Sequence, residues 1–134
     1  MRPTSPLMSL LAVLLLSGCG LPGEEPPGSR VAPPRPPAVD DAGRAVARAR
    51  SFTAWAEAEA PAEQRGAVVG HVPLLWGDWR TPGELGFLAT DHTTRAAAET
   101  VARAFAGWGD NAGRPVRAAV YGSGGTLLYA PPET

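Results

Sequence analysis

The sequence predicts a small α+β domain, a two-layer sandwich in which a four-stranded antiparallel sheet carries two helices on one face. Two helical patterns alternate along the chain with two pairs of short β-rich runs, in the order helix, hairpin, helix, hairpin. A hairpin joins antiparallel strands, and helices and sheets bury their apolar sides against each other in layers. The predicted domain spans residues 39–134, and a chain of about a hundred residues can bury one hydrophobic core.

The first helix is predicted at about residues 41–60. Asp40 or Asp41 caps its start, and a carboxylate there also meets the positive end of the helix dipole. Small and apolar residues recur on one stripe with helical spacing. They are Ala42, Ala45, Val46, Ala49, Phe52, Thr53 and Ala56. Pro61 ends the helix.

The first hairpin is predicted from two short runs. Residues 67–72 are rich in valine and continue through Pro73 into residues 74–76, which indicates an edge strand or a bulge because proline lacks the N–H that a central strand needs. Residues 77–83 have the composition of a turn. Residues 84–89 return as the second strand.

The second helix has the clearest pattern of the chain. Capping residues crowd its start at Thr90, Asp91, Thr93 and Thr94. Its apolar stripe consists of Ala97, Val101, Ala104, Phe105 and Trp108. Gly107 or Gly109 ends it. A last hairpin follows, with strands at 116–121 and 126–130 around a glycine-rich turn at 122–125.

A proline-rich segment precedes the predicted domain. Residues 20–38 contain seven of the 15 prolines of the chain. Each proline removes a hydrogen-bond donor and restricts the residue before it, so neither a helix nor a central strand is expected. We expect residues 19–38 to form a semi-rigid spacer in a polyproline II conformation, with a reach of roughly 60 Å at about 3.1 Å per residue. Taken alone, residues 33–37 also have the composition of a polyproline ligand for an aromatic groove.

The first eighteen residues have the three parts of a secretory signal peptide. Arg2 supplies a positive charge, residues 7–16 form an apolar stretch, and Ser17 and Gly18 are small residues at a cleavage point. The stretch is too short to cross a bilayer, which takes about 20 apolar residues. Leu16-Ser17-Gly18-Cys19 closes it and contains the single cysteine of the chain. These four residues resemble the lipobox of bacterial lipoprotein precursors.

The resemblance implies cleavage between Gly18 and Cys19 and acylation of Cys19, which would carry a diacylglyceryl group and often a further acyl chain such as palmitate. Each buried CH₂ contributes about 0.8 kcal/mol, so two or more chains anchor a protein durably. The implied location is therefore the membrane of a bacterial cell envelope, on its extracytoplasmic side. An acylated Cys19 leaves no thiol for a disulfide or for a cysteine-based zinc site within the monomer.

The charge balance argues against a nucleic-acid partner. All 12 basic residues are arginines, against 13 acidic residues. Removal of Arg2 with the signal peptide leaves 11 arginines and a net charge of −2. A nucleic-acid-binding domain typically carries a basic patch. The absence of a polybasic segment also leaves membrane attachment to the lipid alone.

The sequence predicts no catalytic set, no metal and no cofactor, although one alternative uses His71, His92 and Asp91. A zinc site or a small hydrolase could be built from these residues, but no pair has the i, i+4 spacing of a helical metal site. The simpler interpretation places His71 outward on an edge strand and His92 in the first turn of a helix. Imidazoles held more than about 10 Å apart would exclude a shared site, since zinc–nitrogen bonds are near 2.1 Å.

The candidate ligand-binding residues are Trp76, Asp78, Trp79 and Arg80, which lie in or beside the loop between the first two strands. Aromatic faces beside an acid and an arginine suit a glycan or a peptide. The alternative is that Trp76 belongs to the core, Trp79 covers the end of the sheet, and Asp78 and Arg80 form the turn.

The sequence thus predicts a lipid-anchored, non-catalytic binding or interaction module whose partner is an envelope protein or a cell-wall glycan. Two alternatives stay open. One is a small envelope hydrolase or metal-dependent enzyme, and the other is a structural accessory subunit of an envelope complex.

Overall fold

The computed structural model describes residues 31–132 of the chain. The predicted signal peptide, its cleavage point and Cys19 lie outside the described residues. Within them the fold is α+β, with three α-helices and one four-stranded sheet. In chain order the elements are α1 (Ala42–Glu59), α2 (Ala62–Val68), β1 (Leu74–Gly77), β2 (Leu85–Ala89), α3 (Arg95–Gly107), β3 (Arg117–Tyr121) and β4 (Leu127–Tyr129).

The two predicted helices are present and begin at side-chain caps. The Asp41 carboxylate accepts a hydrogen bond from the Arg44 backbone N–H at 3.0 Å and caps α1, as its position predicts. Thr94 caps α3 by accepting from the Ala97 N–H at 3.2 Å. Each cap satisfies a backbone donor that the first turn of a helix leaves unpaired. The start of α3 therefore lies at the last of its four candidate capping residues.

The predicted strand at residues 67–72 is wrong. Residues 62–68 form α2, and residues 69–71 form a turn. Pro61 both ends α1 and precedes α2, where a missing N–H is tolerated at a helix start. Val68 lies in the last turn of α2 and is fully buried, so its β-branched side chain packs in the core from a helix. Since β1 begins after Pro73, that proline costs the sheet no hydrogen bond.

The sheet is mixed, so the prediction of an antiparallel sheet is wrong for one of its three pairings. The order is β1-β2-β3-β4, with antiparallel pairs at both ends and a parallel pair between β2 and β3. The chain passes from β2 through α3 to β3, and a helical crossover of this kind makes neighbouring strands parallel. The hairpin patterns in the sequence determine pairing within each hairpin but not between the two.

One face of the sheet carries the main core. Leu75, Leu88 and Val120 are neighbours across β1, β2 and β3 and are fully buried. Phe52 of α1 and Phe105 of α3 belong to the same core, with ring centroids 5.8 Å apart in an edge-to-face arrangement. The predicted placement of two helices on one face is thus matched in part. The third helix, α2, packs against α3.

The other face of the sheet is aromatic. Trp76, Phe87 and Tyr121 follow one another across it, with centroid distances of 5.8 Å for the first pair and 6.5 Å for the second. Residues 31–38 contain no helix or strand and meet this face, where the Tyr121 hydroxyl donates a hydrogen bond to the Pro33 carbonyl at 2.8 Å. The part of the predicted spacer that the structure describes therefore contacts the sheet.

Among residues 31–132, no helix combines the length and the apolar character that a membrane crossing requires.

Candidate functional site

The first hairpin brings His71, Asp91 and His92 together. In the antiparallel pair of β1 and β2, Leu74 at the start of one strand lies opposite Ala89 at the end of the other. The residues just before β1 and just after β2 therefore emerge at the same edge of the sheet. A backbone hydrogen bond from Asp91 N to His71 O, at 3.3 Å, joins the two segments there.

The three side chains form a compact cluster. His71 Nδ1 and Asp91 Oδ1 are 2.7 Å apart. The imidazoles of His71 and His92 stack with centroids 4.5 Å apart and an interplanar angle of 27°. One potential ligand atom from each of the three residues lies within 4.8 Å of the others. The sequence alternative that joins these residues in a shared site therefore meets its distance requirement. The simpler interpretation is wrong about their positions, because His71 lies in the turn before β1 and His92 lies before the first turn of α3.

Hydrogen bonds select the tautomer of each ring. The hydrogen bond from His71 lowers the pKa of the Asp91 carboxyl, so Asp91 is an ionised acceptor at neutral pH and His71 Nδ1 donates to it. His92 Nε2 lies 2.7 Å from the Ala67 carbonyl oxygen. A carbonyl can only accept, so this nitrogen also carries a proton. In the neutral rings the lone pairs remain on His71 Nε2 and His92 Nδ1.

Backbone contacts hold His92 in place. Its N–H donates to the Thr90 hydroxyl at 3.2 Å, and its carbonyl accepts from the Ser123 N–H at 2.9 Å. The buried Thr90 hydroxyl in turn donates to the Tyr121 carbonyl at 2.8 Å. His92 is thus tied to α2, to β3 and to the turn that follows β3.

A cleft of about 470 Å³ opens beside the His71–Asp91 pair. These two residues line it from the hairpin side, and α1 supplies the opposite wall with Arg50, Thr53 and Glu57 among small apolar residues. The side chains of His71 and Asp91 are 37% and 64% exposed, so a ligand in the cleft can reach both. A concave, mostly apolar cleft with a few polar groups is the usual form of a small-molecule site.

The loop residues singled out by the sequence lie mostly inside the fold. Trp79 is 4% exposed, and its indole N–H donates to the buried Asn111 side chain at 2.9 Å. The Arg48 guanidinium covers its ring at 4.8 Å from the centroid, and burial lowers the pKa of that guanidinium. Trp76 is 8% exposed and points to the opposite face of the sheet. Neither indole therefore offers an open stacking face to a ligand.

The exposed members of that loop take part in turn contacts. The Thr81 hydroxyl donates to the Asp78 carboxylate at 2.7 Å, and Arg80 pairs with Asp110 at 3.4 Å. Ion pairs this exposed contribute little to stability. Asp78 and Arg80 remain the accessible candidates for a ligand contact in this loop.

Sequence reasoning missed the groups that position the histidines, namely the Ala67 carbonyl, Thr90 and the Ser123 N–H. The sequence predicts a strand at Ala67, whereas its carbonyl lies in the last turn of α2 and accepts from His92 there. One signal was available in the hairpin, because His71 lies three residues before β1 and His92 three residues after β2.

Comparison of the chain with protein-family models, with curated proteins and with solved structures finds no match.

Proposed function

We propose that this protein is a lipid-anchored protein of the bacterial cell envelope that binds a divalent transition-metal ion through His71 and His92, with Asp91 as their supporting carboxylate. The observation that carries the metal assignment is the cluster itself, in which one potential ligand atom from each of the three residues lies within 4.8 Å of the others. Around a tetrahedral zinc ion with bonds near 2.1 Å, two ligand atoms are roughly 3.4 Å apart. Two atoms 4.8 Å apart would therefore have to approach by about 1.4 Å to share one ion.

The ligand types select the class of metal. Imidazole nitrogen suits zinc, copper, nickel and cobalt, whereas magnesium and calcium prefer oxygen ligands. His71 Nε2 and His92 Nδ1 are the direct ligands, because hydrogen bonds occupy the other ring nitrogens. The Asp91 carboxylate orients His71 and raises its basicity, as carboxylates behind metal-bound histidines commonly do. Two protein ligands leave positions for water or for a ligand in the cleft.

Isothermal titration calorimetry with zinc chloride tests this proposal. The mature polypeptide, residues 19–134, is prepared without a histidine tag and with Cys19→Ser, since a free thiol would itself bind zinc. We expect one ion per chain. Separate His71→Ala and His92→Ala variants should lose most of the affinity, and Asp91→Asn should lose about 10- to 100-fold. Asp110→Asn is the matched control and should bind as the parent does.

Acid pH should weaken the same binding, because imidazole coordinates a metal only in its neutral form. Repeating the titration from about pH 7 to about pH 5 should show a falling affinity with proton release on binding. Equal affinity in the parent and the double variant His71→Ala, His92→Ala would place the ion elsewhere and end the metal assignment.

The membrane attachment rests on the resemblance of residues 16–19 to a lipobox and on the apolar stretch before it. Expression in a bacterial host with radiolabelled palmitate should label the wild-type protein and leave Cys19→Ala unlabelled. Mass spectrometry of the amino terminus should find a modified Cys19 as the first residue. A purified protein that begins at Met1 with an unmodified thiol would contradict the anchor but would leave the metal site untouched.

A second candidate function is metal-assisted hydrolysis of a ligand in the cleft. The 2.7 Å contact between His71 and Asp91 and the neighbouring cleft favour it. A bound ion there would polarise a carbonyl or activate water. A panel of chromogenic esters and peptides, assayed with zinc-loaded protein, tests this function. Turnover that disappears in His71→Ala supports it, and turnover equal to that of free zinc refutes it.

A further inference from the structure

Residues 31–38, here called the strap, lie against the aromatic face of the sheet. The Tyr121 hydroxyl reaches 88 positions back along the chain to donate to the Pro33 carbonyl at 2.8 Å. The Pro36 ring lies within van der Waals range of Gly125, where a Cβ on that glycine would sit 3.5 Å from Pro36 Cδ. Pro37 and Ala38 line a cavity of about 510 Å³ together with Trp76 and Phe87. The strap thus follows the face from Tyr121 towards Trp76.

The aromatic face is buried although the helices of the main core lie on the other side. Tyr121 and Ala119 are fully buried, and Trp76 is 8% exposed. The strap supplies cover on this side. The Trp76 indole N–H is buried and has no acceptor within residues 31–132, so the face carries a second hydrogen-bond donor beside that of Tyr121.

This pairing has the chemistry of polyproline recognition, although the strap bends at Pro34 and Arg35 and is not one continuous polyproline II helix. A polyproline II segment has no internal hydrogen bonds, so its carbonyls are free to accept and its rings are free to pack on aromatic side chains. The strap contains four prolines in five residues, at positions 33–37. Tyr121 offers both a donor for one of its carbonyls and a ring on the same aromatic row as Phe87.

We propose that the row of Trp76, Phe87 and Tyr121 is a polyproline-binding surface, and that its resident ligand is the chain's own strap. Binding within one chain is favoured because the tether keeps the ligand at high effective concentration. The C-terminal part of the predicted spacer then belongs to the domain. Val31 lies twelve positions after Cys19, with eleven residues between them. A polyproline II tether over those twelve positions, as the sequence predicts, would reach roughly 37 Å at about 3.1 Å per residue. With the proposed anchor at Cys19, the domain would then be held nearer the membrane than by a spacer of nineteen residues.

A peptide added in trans tests the surface. The receptor is the polypeptide of residues 19–134 with Cys19→Ser and an opened strap, made by Pro33→Gly, Pro36→Gly and Pro37→Gly. The matched control carries Pro22→Gly, Pro26→Gly and Pro27→Gly, three equal changes in the preceding part of the spacer. The probe is a synthetic peptide with the sequence of residues 31–39, and the readout is the indole N–H signal of Trp76 in ¹H–¹⁵N NMR spectra.

The opened variant should bind the peptide saturably. The parent and the control, whose surface is occupied, should bind at least tenfold more weakly. Equal binding by all three proteins, no binding by the opened variant, or equal binding of a peptide of scrambled sequence would overturn the proposal.

If the variant with the opened strap fails to fold, a second variant tests the polyproline-binding proposal. Tyr121→Phe keeps the ring and removes only the hydrogen bond to Pro33. The methyl signals of Ala32 and Ala38 should then move towards the positions of an unfolded chain and sharpen. Signals unchanged from those of the parent would show that the strap does not depend on this contact and would refute the proposal.

Discussion

Asn111 is a buried side chain that satisfies two other buried groups. Its oxygen accepts from the Trp79 indole N–H, and its nitrogen donates to the Phe105 carbonyl, each at 2.9 Å. Asn111→Ala leaves both partners without a hydrogen bond, and each unsatisfied buried group costs about 1–3 kcal/mol. We expect a loss of about 2–4 kcal/mol in the free energy of unfolding, measured with urea. The neighbouring, exposed Asp110→Ala should change it by less than about 0.5 kcal/mol.

Gly122 is a second residue whose identity is set by close contacts. A Cβ there would lie 2.4 Å from the His92 carbonyl oxygen and 2.5 Å from Leu128 Cδ1. Gly122→Ala must displace the His92 backbone, so we expect a loss of about 1–3 kcal/mol in stability together with weaker zinc binding.

Gly66 provides the comparison for Gly122→Ala. It lies inside α2, and a Cβ added there would meet no atom within 4 Å. Gly66→Ala should therefore stabilise the protein by about 0.5–1 kcal/mol and leave zinc binding unchanged. Zinc affinity in Gly122→Ala equal to that of the parent would show that the His92 backbone does not control the site.

At the scale of elements, the start of α3 sets the crossover between β2 and β3. Thr94 caps this helix through the Ala97 N–H. Thr94→Ala should lower the free energy of unfolding by about 1 kcal/mol, as the loss of a threonine cap usually does. Thr93→Ala, one residue earlier and also exposed, is the matched control and should have a smaller effect. If the two variants lose equal stability in urea denaturation, the cap at Thr94 contributes nothing specific.

Most elements, but not their arrangement, could be predicted from the sequence. Helices α1 and α3 and the three later strands follow from local periodicity and turn residues, which act over a few positions. The parallel pairing of β2 with β3 depends on contacts between distant residues, so the hairpin patterns do not contain it. The sequence pattern does not predict the short α2, because Val68 and Val69 favour a strand locally. In the fold Val68 reaches the core from a helix.

The candidate site was predictable only as a set of residue types. His71, His92 and Asp91 are adjacent because Leu74 pairs with Ala89, and the strand predicted from residue 67 would have paired the hairpin differently. The tryptophans of the loop show the opposite case. Tryptophan is a residue type that often contacts ligands, but the Trp79 indole donates a hydrogen bond to the buried Asn111 side chain. Asn111 is 32 positions away in the sequence, so no local pattern predicts this contact.

The four-stranded sheet has two apolar faces, and each must be shielded from water. Helices α1 and α3 cover the face with Leu75, Leu88 and Val120, whereas the strap contacts the aromatic face. A domain of this size has little surplus stability. The strap is therefore expected to contribute to folding as well as to tether geometry.

Alkaline pH provides a measure of the closed aromatic face. Burial raises the pKa of Tyr121 to about 12, above the ordinary value of 10.0 for tyrosine. Below about pH 10 the phenol is protonated in the folded and unfolded chains alike, and its contribution to stability is fully present. As the pH rises from about 10 towards 12, the unfolded chain releases the proton first, so the stability of the fold falls.

All 12 basic residues are arginines. Because the sequence has no lysine, no lysine side chain loses its proton in this pH range and obscures the effect of Tyr121 on stability. Urea denaturation between about pH 9 and about pH 11.5 should show a steep loss of stability in the parent. Tyr121→Phe should flatten that loss, because phenylalanine has no proton to release. Tyr129→Phe changes a tyrosine on β4 and should keep the parent's slope. A slope in Tyr121→Phe equal to that of the parent would mean that the phenol is not held neutral beneath the strap.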